Sequence, residues 1–144
     1  MLSIALAMNK KGYKTILLTT CKAGELHKAF KEHNIETYNY SIPKNTIFLI
    51  KQFIFLIRFC RLHNINYIYS HLQIANFVAV LAQYFISAKV LVCRHHSDYV
   101  RLGTSKNARF FDKVIGKFAK NIIAISDRVM REMQENEGVN PNKI

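Results

Sequence analysis

The sequence is 144 residues long and half apolar, which is enough for one domain with a real core and excludes a disordered chain. Against 9 Asp and Glu stand 21 Lys and Arg, a net charge of +12. That excess asks for an anionic partner, whether nucleotide phosphate, lipid headgroup or nucleic acid, without choosing among them.

In chain order, residues 1–11 (MLSIALAMNKK) read as a helix with basic residues in its last turn and Gly12 as its stop. Residues 13–20 (YKTILLTT) are a short β-branched run and read as a buried strand. A second helix is expected over 24–34, with Leu26, Ala29 and Phe30 on one side and Lys28, Lys31 and Glu32 opposite. A strand over 35–40 follows, closed by Pro43. Residues 44–64 form the longest helical segment, in which Ile47, Ile50, Ile54 and Ile57 step at helical spacing while Lys44, Lys51 and Arg58 recur every seventh residue. This basic stripe is either the solvated edge of a helix packed on the sheet or a surface that rests on anionic lipid.

The second half alternates in the same way. A strand over 66–71 (NYIYSH) leads to an Ala-rich helix over 72–87, and a strand over 89–94 (KVLVCR) ends in the polar run Arg94, His95, His96, Ser97, Asp98. An amphipathic helix over 107–120, a strand over 121–125 (NIIAI) and a helix over 126–136 with Asp127 at its start complete the pattern, with Gly138 and Pro141 beyond. Residues 46–60 are interrupted by Lys51 and Arg58, and 74–87 is uncharged but short. Both fall below the roughly 20 residues needed to cross a bilayer. No basic, apolar and small-residue signal opens the chain. Cys21, Cys60 and Cys93 are odd in number and widely spaced, which suits reduced thiols in a cytoplasmic protein better than a disulfide frame or a zinc knuckle.

Strands alternating with helices mean βαβ units in an α/β, doubly wound, mostly parallel sheet of Rossmann-like type, a single domain over 1–144 with no internal boundary. Parallel strands all end on one edge, so three tips should converge: Ser70 with His71, then Arg94 to Asp98, then Ser126. An imidazole there can bind a sugar hydroxyl or phosphate oxygen and can stabilise charge on a leaving group. Ser126 and the free amides after it can take an anion, or the serine can simply cap its helix. His71 is alternatively a loop residue bound to backbone, Arg94 a side chain reaching across the sheet edge, and His27, His33 and His63 solvated on helix surfaces. Of the neighbours His95 and His96, one points inward and the other to solvent.

Several chemistries find no pattern. There is no H-E-x-x-H and no C-x-x-C, and adjacent histidines on a strand point to opposite faces, so no metal is expected. G-x-G-x-x-G, the P-loop and the G-x-S-x-G elbow are missing. The basic residues are scattered over helices without an RNA- or DNA-binding motif, so nucleic acid is not the expected partner.

The order of "KKGYKTILLTT", "GELHKAFKEHNIE", "NYIYSHLQIAN", "KVLVCRHHSD", "NIIAISDRVMREM" and "EGVNPNKI" resembles the amino-terminal domain of family 4 glycosyltransferases, retaining enzymes with the two-domain GT-B fold, over nearly the whole chain. In that family a phrase like "DIIHSH" precedes an apolar helix, matched by residues 67–71 with Tyr in place of the first acid. A phrase like "VVTVHGSD" puts its histidine on His95, its small residue on His96 and its acid on Asp98. "VIAVS" matches 122–126. The resemblance implies that His95 is the catalytic-site residue contacting the donor sugar, with His71, Arg94, His96, Asp98 and Ser126 binding substrate. It implies a nucleotide-sugar donor, a polysaccharide or lipid-linked acceptor, no metal cofactor and transfer of a hexose. Lys44, Lys51 and Arg58 would then hold the protein at the inner face of the plasma membrane.

His96 departs from the small residue of the family, which leaves the assignment open between the two neighbours. Family members also begin with a strand and a glycine-rich loop and continue into a donor-binding domain, so the chain is expected to be a piece of such a protein. It is expected to be poorly stable alone, because the missing strand would be the central one, and to turn over no sugar by itself. Two other readings share these residues: a non-catalytic acceptor-binding module that needs a partner to supply the donor domain, and part of a GT-B sugar-nucleotide epimerase.

Overall fold

A computed structural model describes residues 1–20, 22–43, 47–95 and 106–144, the side chains of Lys106 and Asn107 excepted. In chain order it contains α1 (Leu2–Lys10), β1 (Ile16–Thr19), α2 (Glu25–Glu32), β2 (Glu36–Asn39), α3 (Phe48–Leu62), β3 (Tyr67–His71), α4 (Gln73–Ala82), β4 (Lys89–Arg94), α5 (Lys106–Phe118), β5 (Asn121–Ala124) and α6 (Asp127–Glu135), then a 3-10 turn at Pro141–Lys143. The helix–strand alternation is the one that the periodicity predicts. The expected single sheet is divided instead: β1 pairs with β2, and β3, β4 and β5 form a separate sheet in that order, all pairs parallel. The chain accordingly forms two compact units, Met1–Phe48 and Leu49–Ile144.

Helix endings explain how the chain turns back into strands. After α1, Gly12 takes φ +84° and the Tyr13 amide donates to the Met8 carbonyl. After α2 and α3 the left-handed position falls to Asn34 (φ 56°) and Asn64 (φ 50°), and the amides of Ile35 and Ile65 donate to the carbonyls of Phe30 and Cys60. Asparagine tolerates this conformation better than other residues with a side chain, and the helix carbonyls left without an internal partner gain one. After Asn34 and Asn64 an isoleucine follows, and β2 and β3 begin at Glu36 and Tyr67; after Gly12, β1 begins at Ile16.

In the first unit Leu17 of β1, Phe30 of α2 and Ile35 form a small buried cluster, against which Leu2, Ala5 and Leu6 of α1 pack. The second unit carries the larger core. Val90 and Val92 of β4 and Ile122 of β5 point to one face, where Ala79 and Val80 of α4, Ile115 and Ala119 of α5, and Val129 and Met133 of α6 cover them. Sequential right-handed crossovers that step one strand at a time in one direction place successive helices on the same face. The strand residues between these, Tyr69, His71, Leu91, Cys93 and, one residue past β4, His95, belong to the opposite face by strand alternation.

The helix expected over 72–87 ends early, at Ala82. Gln83 Nε2 and Tyr84 Oη both donate to the Phe118 carbonyl at the end of α5, and Arg61 donates to the Phe85 carbonyl. These bonds hold residues 83–85 in a turn that replaces the last helical turn. The basic helix α3 presents Ile50, Ile54 and Leu62 to solvent beside the exposed Lys51 and Arg58, while Phe59 and Cys60 on its other side are buried. Lys44 lies outside the described residues. Among the described residues no helix is long and apolar enough to cross a membrane.

Candidate functional site

The site sits where β3 and β4 run out at their shared carboxyl edge. Parallel pairing sets His71 opposite Cys93. Two residues on from Cys93, His95 returns to the same face, so the two imidazoles meet although 24 positions separate them. His71 Nδ1 lies 2.6 Å from His95 Nε2, with ring centroids 4.9 Å apart. One ring nitrogen of the pair must donate and the other accept, so one proton lies between the two rings. His71 Nε2 is buried and has no hydrogen-bond partner among the described residues.

Tyr69, two residues before His71 on the same face, meets the His71 ring edge-on at 4.3 Å and donates its hydroxyl to Cys93 Sγ at 3.4 Å. Burial, and then the neighbouring His95, push His71 down to about 4. Burial and the bond to Cys93 push Tyr69 up to about 12. At neutral pH the pair is therefore uncharged on the His71 side: a hydrogen-bonding surface rather than a cation.

The residue after His71 is held in an unusual conformation. Leu72 has φ 69° and ψ 152° and is exposed, yet its carbonyl accepts the first hydrogen bond of α4, from the Asn76 amide. A non-glycine residue in this region costs about 1–3 kcal/mol, and such strain gathers at functional sites. Behind the tip, Asn76 Nδ2 donates to the Cys93 carbonyl at 2.9 Å while Asn76 Oδ1 is buried without a partner among the described residues. Leu72, Gln73, Asn76, Cys93, Arg94, His95 and Asp112 line a small cavity of about 20 Å³.

Arg94, read from sequence as a substrate-binding residue or as a side chain reaching across the sheet edge, is 4% exposed and faces the helices. Its Nη1 and Nη2 donate to the two oxygens of Glu137 at 3.0 and 2.7 Å, with Asp112 at 3.7 Å. A buried guanidinium has to be paired, and a bidentate carboxylate meets its planar fork. Arg94 thus fastens the end of β4 to α5 and to the segment after α6.

Ser126 stands after β5 on the same edge, since the Ile125 amide donates to the Arg94 carbonyl. Its hydroxyl oxygen accepts from the Val129 amide at 3.3 Å, which is the capping role. His96 and Asp98 lie outside the described residues.

Of the remaining histidines, His27 is not the solvated residue that its helix suggested. It is buried, takes the Gly24 amide on Nδ1 and approaches Thr19 Oγ1 with Nε2 at 2.7 Å. Since Nδ1 accepts, Nε2 carries the proton and donates to Thr19. Sequence reasoning also passed over Cys93 as part of the site. The signal was present in the alternation Cys93, His95 on one strand, set beside a histidine at the end of the strand before it.

The family model for Glycosyltransferase Family 4 matches residues 1–144. Among solved structures, a glycosyltransferase from Rickettsia africae ESF-5 superposes with TM-score 0.74 at 17% identity, covering 99% of this chain and 36% of that one. Anabaena HepE in complex with UDP gives 0.75 at 14% identity, and its complex with UDP and glucose 0.74 at 16%; the match covers 99% of this chain in both cases, and 38% and 39% of the other. No significant match was found among curated protein sequences. The chain thus spans a little over a third of the length of the structures it resembles.

Proposed function

Because the chain belongs to glycosyltransferase family 4, we propose that it forms the acceptor-side half of a retaining sugar transferase that moves a hexose from a nucleotide sugar to a polysaccharide or lipid-linked acceptor. The observation that carries this reading is the meeting of His71 and His95, with the strained Leu72 beside them, on the carboxyl edge of a parallel sheet, where open α/β folds bind their ligands. UDP and glucose bound to the similar fold of HepE support a nucleotide sugar as donor.

His95 is the residue assigned to the sugar. A neutral imidazole that exchanges a proton with a second ring can donate to a hydroxyl while its partner compensates, which stabilises developing charge without a fixed cation. His71 positions His95 through their shared hydrogen bond. Arg94 acts at one remove, by anchoring the strand that carries His95. Ser126 is left as a helix cap whose neighbouring amides can still meet an anion. The charges that neutralise the donor phosphates would come from a second, donor-binding domain or from a partner that supplies it.

Calorimetric titration with UDP-glucose of this chain together with the donor-binding half tests the assignment. Loss of one hydrogen bond to the sugar should weaken binding about tenfold in His95→Ala, and an affinity unchanged by that substitution would remove His95 from the site. The exposed Ile50, Ile54 and Leu62 interleaved with Lys51 and Arg58 on α3 fit the headgroup region of an anionic bilayer. Sedimentation with phosphatidylserine-containing vesicles should fall sharply for Lys51→Glu combined with Arg58→Glu; equal sedimentation of wild type and variant would contradict membrane attachment through α3.

A further inference from the structure

The face that carries the histidine pair also carries a thiol. One ring nitrogen each from His71 and His95, together with Cys93 Sγ, lie within 4.8 Å of one another. His71 and Cys93 come from the ends of two paired strands and His95 from the residue just past β4, so the sheet sets most of the spacing: His71 stands opposite Cys93, and His95 follows by one strand period. We propose that His71, Cys93 and His95 form a binding site for a borderline-soft divalent ion of the zinc type, with two imidazole nitrogens and a thiolate as ligands and a fourth position open.

The chemistry of the donor set favours this class of ion. Imidazole and thiolate suit zinc, whereas magnesium and calcium need oxygen ligands. A tetrahedral ion with nitrogen at about 2.0–2.1 Å and sulfur at about 2.3 Å requires its donors about 3.3–3.6 Å apart. The histidine nitrogens at 2.6 Å must therefore open slightly and the widest pair must close by about 1 Å. His71 and His95 are half-buried, so small ring rotations suffice while the sulfur stays fixed in the sheet.

On binding, the ion replaces the proton shared between the rings. Each imidazole turns its lone pair to the metal and keeps its one proton on the other ring nitrogen, and the Cys93 thiol releases its proton to solvent. Net release is one proton per ion, and no electron moves. The Tyr69 hydroxyl already donates to the sulfur at 3.4 Å, the kind of outer contact that holds a thiolate in place.

Nothing in the binding step depends on the transferase reading, and ion and sugar would compete for His95. The test is a titration of the full chain, reduced and free of metal, with cobalt(II) as a spectroscopic probe and zinc(II) as competitor. The expected result is one tight site per chain, with a sulfur-to-cobalt charge-transfer band that zinc bleaches. This signature is read on the wild type and needs no variant to fold. Cys93→Ser should remove the band, His71→Gln should weaken binding at least about tenfold, and Tyr69→Phe should weaken it about 10–100-fold, as loss of outer-shell contacts does elsewhere. A Cys21→Ser, Cys60→Ser double variant should keep the band. Absence of the band in wild type, or a band that survives Cys93→Ser or disappears with Cys21 and Cys60, would overturn the proposal.

Discussion

At the scale of single residues, the rim of the three-stranded sheet is defined by what each side chain can no longer do. Arg94 is closed off by Glu137, Ser126 caps α6, and Ser70 is buried with its hydroxyl directed at the Leu91 carbonyl. Among the described residues, the imidazoles of His71 and His95 remain at the edge. The depressed His71 has a measurable consequence. An exposed histidine protonates near pH 6.5, whereas in the folded chain His71 resists protonation until about pH 4. Between those values the unfolded chain binds a proton that the folded chain refuses, so stability is full above about pH 6.5 and declines as pH falls towards 4. Urea midpoints measured across this range should drop in wild type and drop less in His71→Gln. Parallel pH profiles for the two would mean that His71 titrates normally in the fold.

At the scale of elements, most of the pattern was legible in the sequence because it is local. Residues 122–125 are apolar throughout and are followed by a serine and an aspartate, and β5 and the N-terminus of α6 fall there. Gly12, read as a helix stop, has positive φ, and so does Gly138 beyond α6. Asn34 and Asn64 perform the same service, which spacing alone did not distinguish from polar surface. Contacts between elements were not legible. Arg94 and Glu137 are 43 positions apart and nothing local marks them as partners. The burial of His27 depends on Thr19 lying under one turn of α2, and the Tyr69, His71, Cys93, His95 cluster depends on strand register.

Gly116 is an element-scale case in which packing overrides propensity. A glycine inside a helix usually costs about 0.5–1 kcal/mol relative to alanine. Here a Cβ would come within 2.7 Å of Val139 Cγ2, and Val139 is buried in the main core with a stiff, β-branched side chain. Gly116→Ala should therefore destabilise the chain by about 1–3 kcal/mol, the usual cost of overpacking a core. A thermal midpoint at or above that of wild type would show that the segment after α6 yields freely.

At the scale of the whole molecule, the family match over 1–144 and the structural neighbours agree on the α/β architecture that the alternation of helices and strands predicts. The division into a two-stranded and a three-stranded sheet was not written in the sequence pattern, because each strand there reads equally well as a member of one continuous sheet. The sugar site proposed here lies wholly within the larger unit, Leu49–Ile144, since β3, β4 and β5 supply every residue assigned to it.

The most direct measurement is an NMR titration with UDP-glucose of this chain together with the donor-binding half, following the imidazole nitrogens of the chain's six histidines. The resonances of His71 and His95 should move together and saturate, while the exposed His33 on α2 stays in place. If UDP-glucose leaves the His71 and His95 rings unchanged, or shifts them no more than His33, the sheet edge is not where the sugar binds.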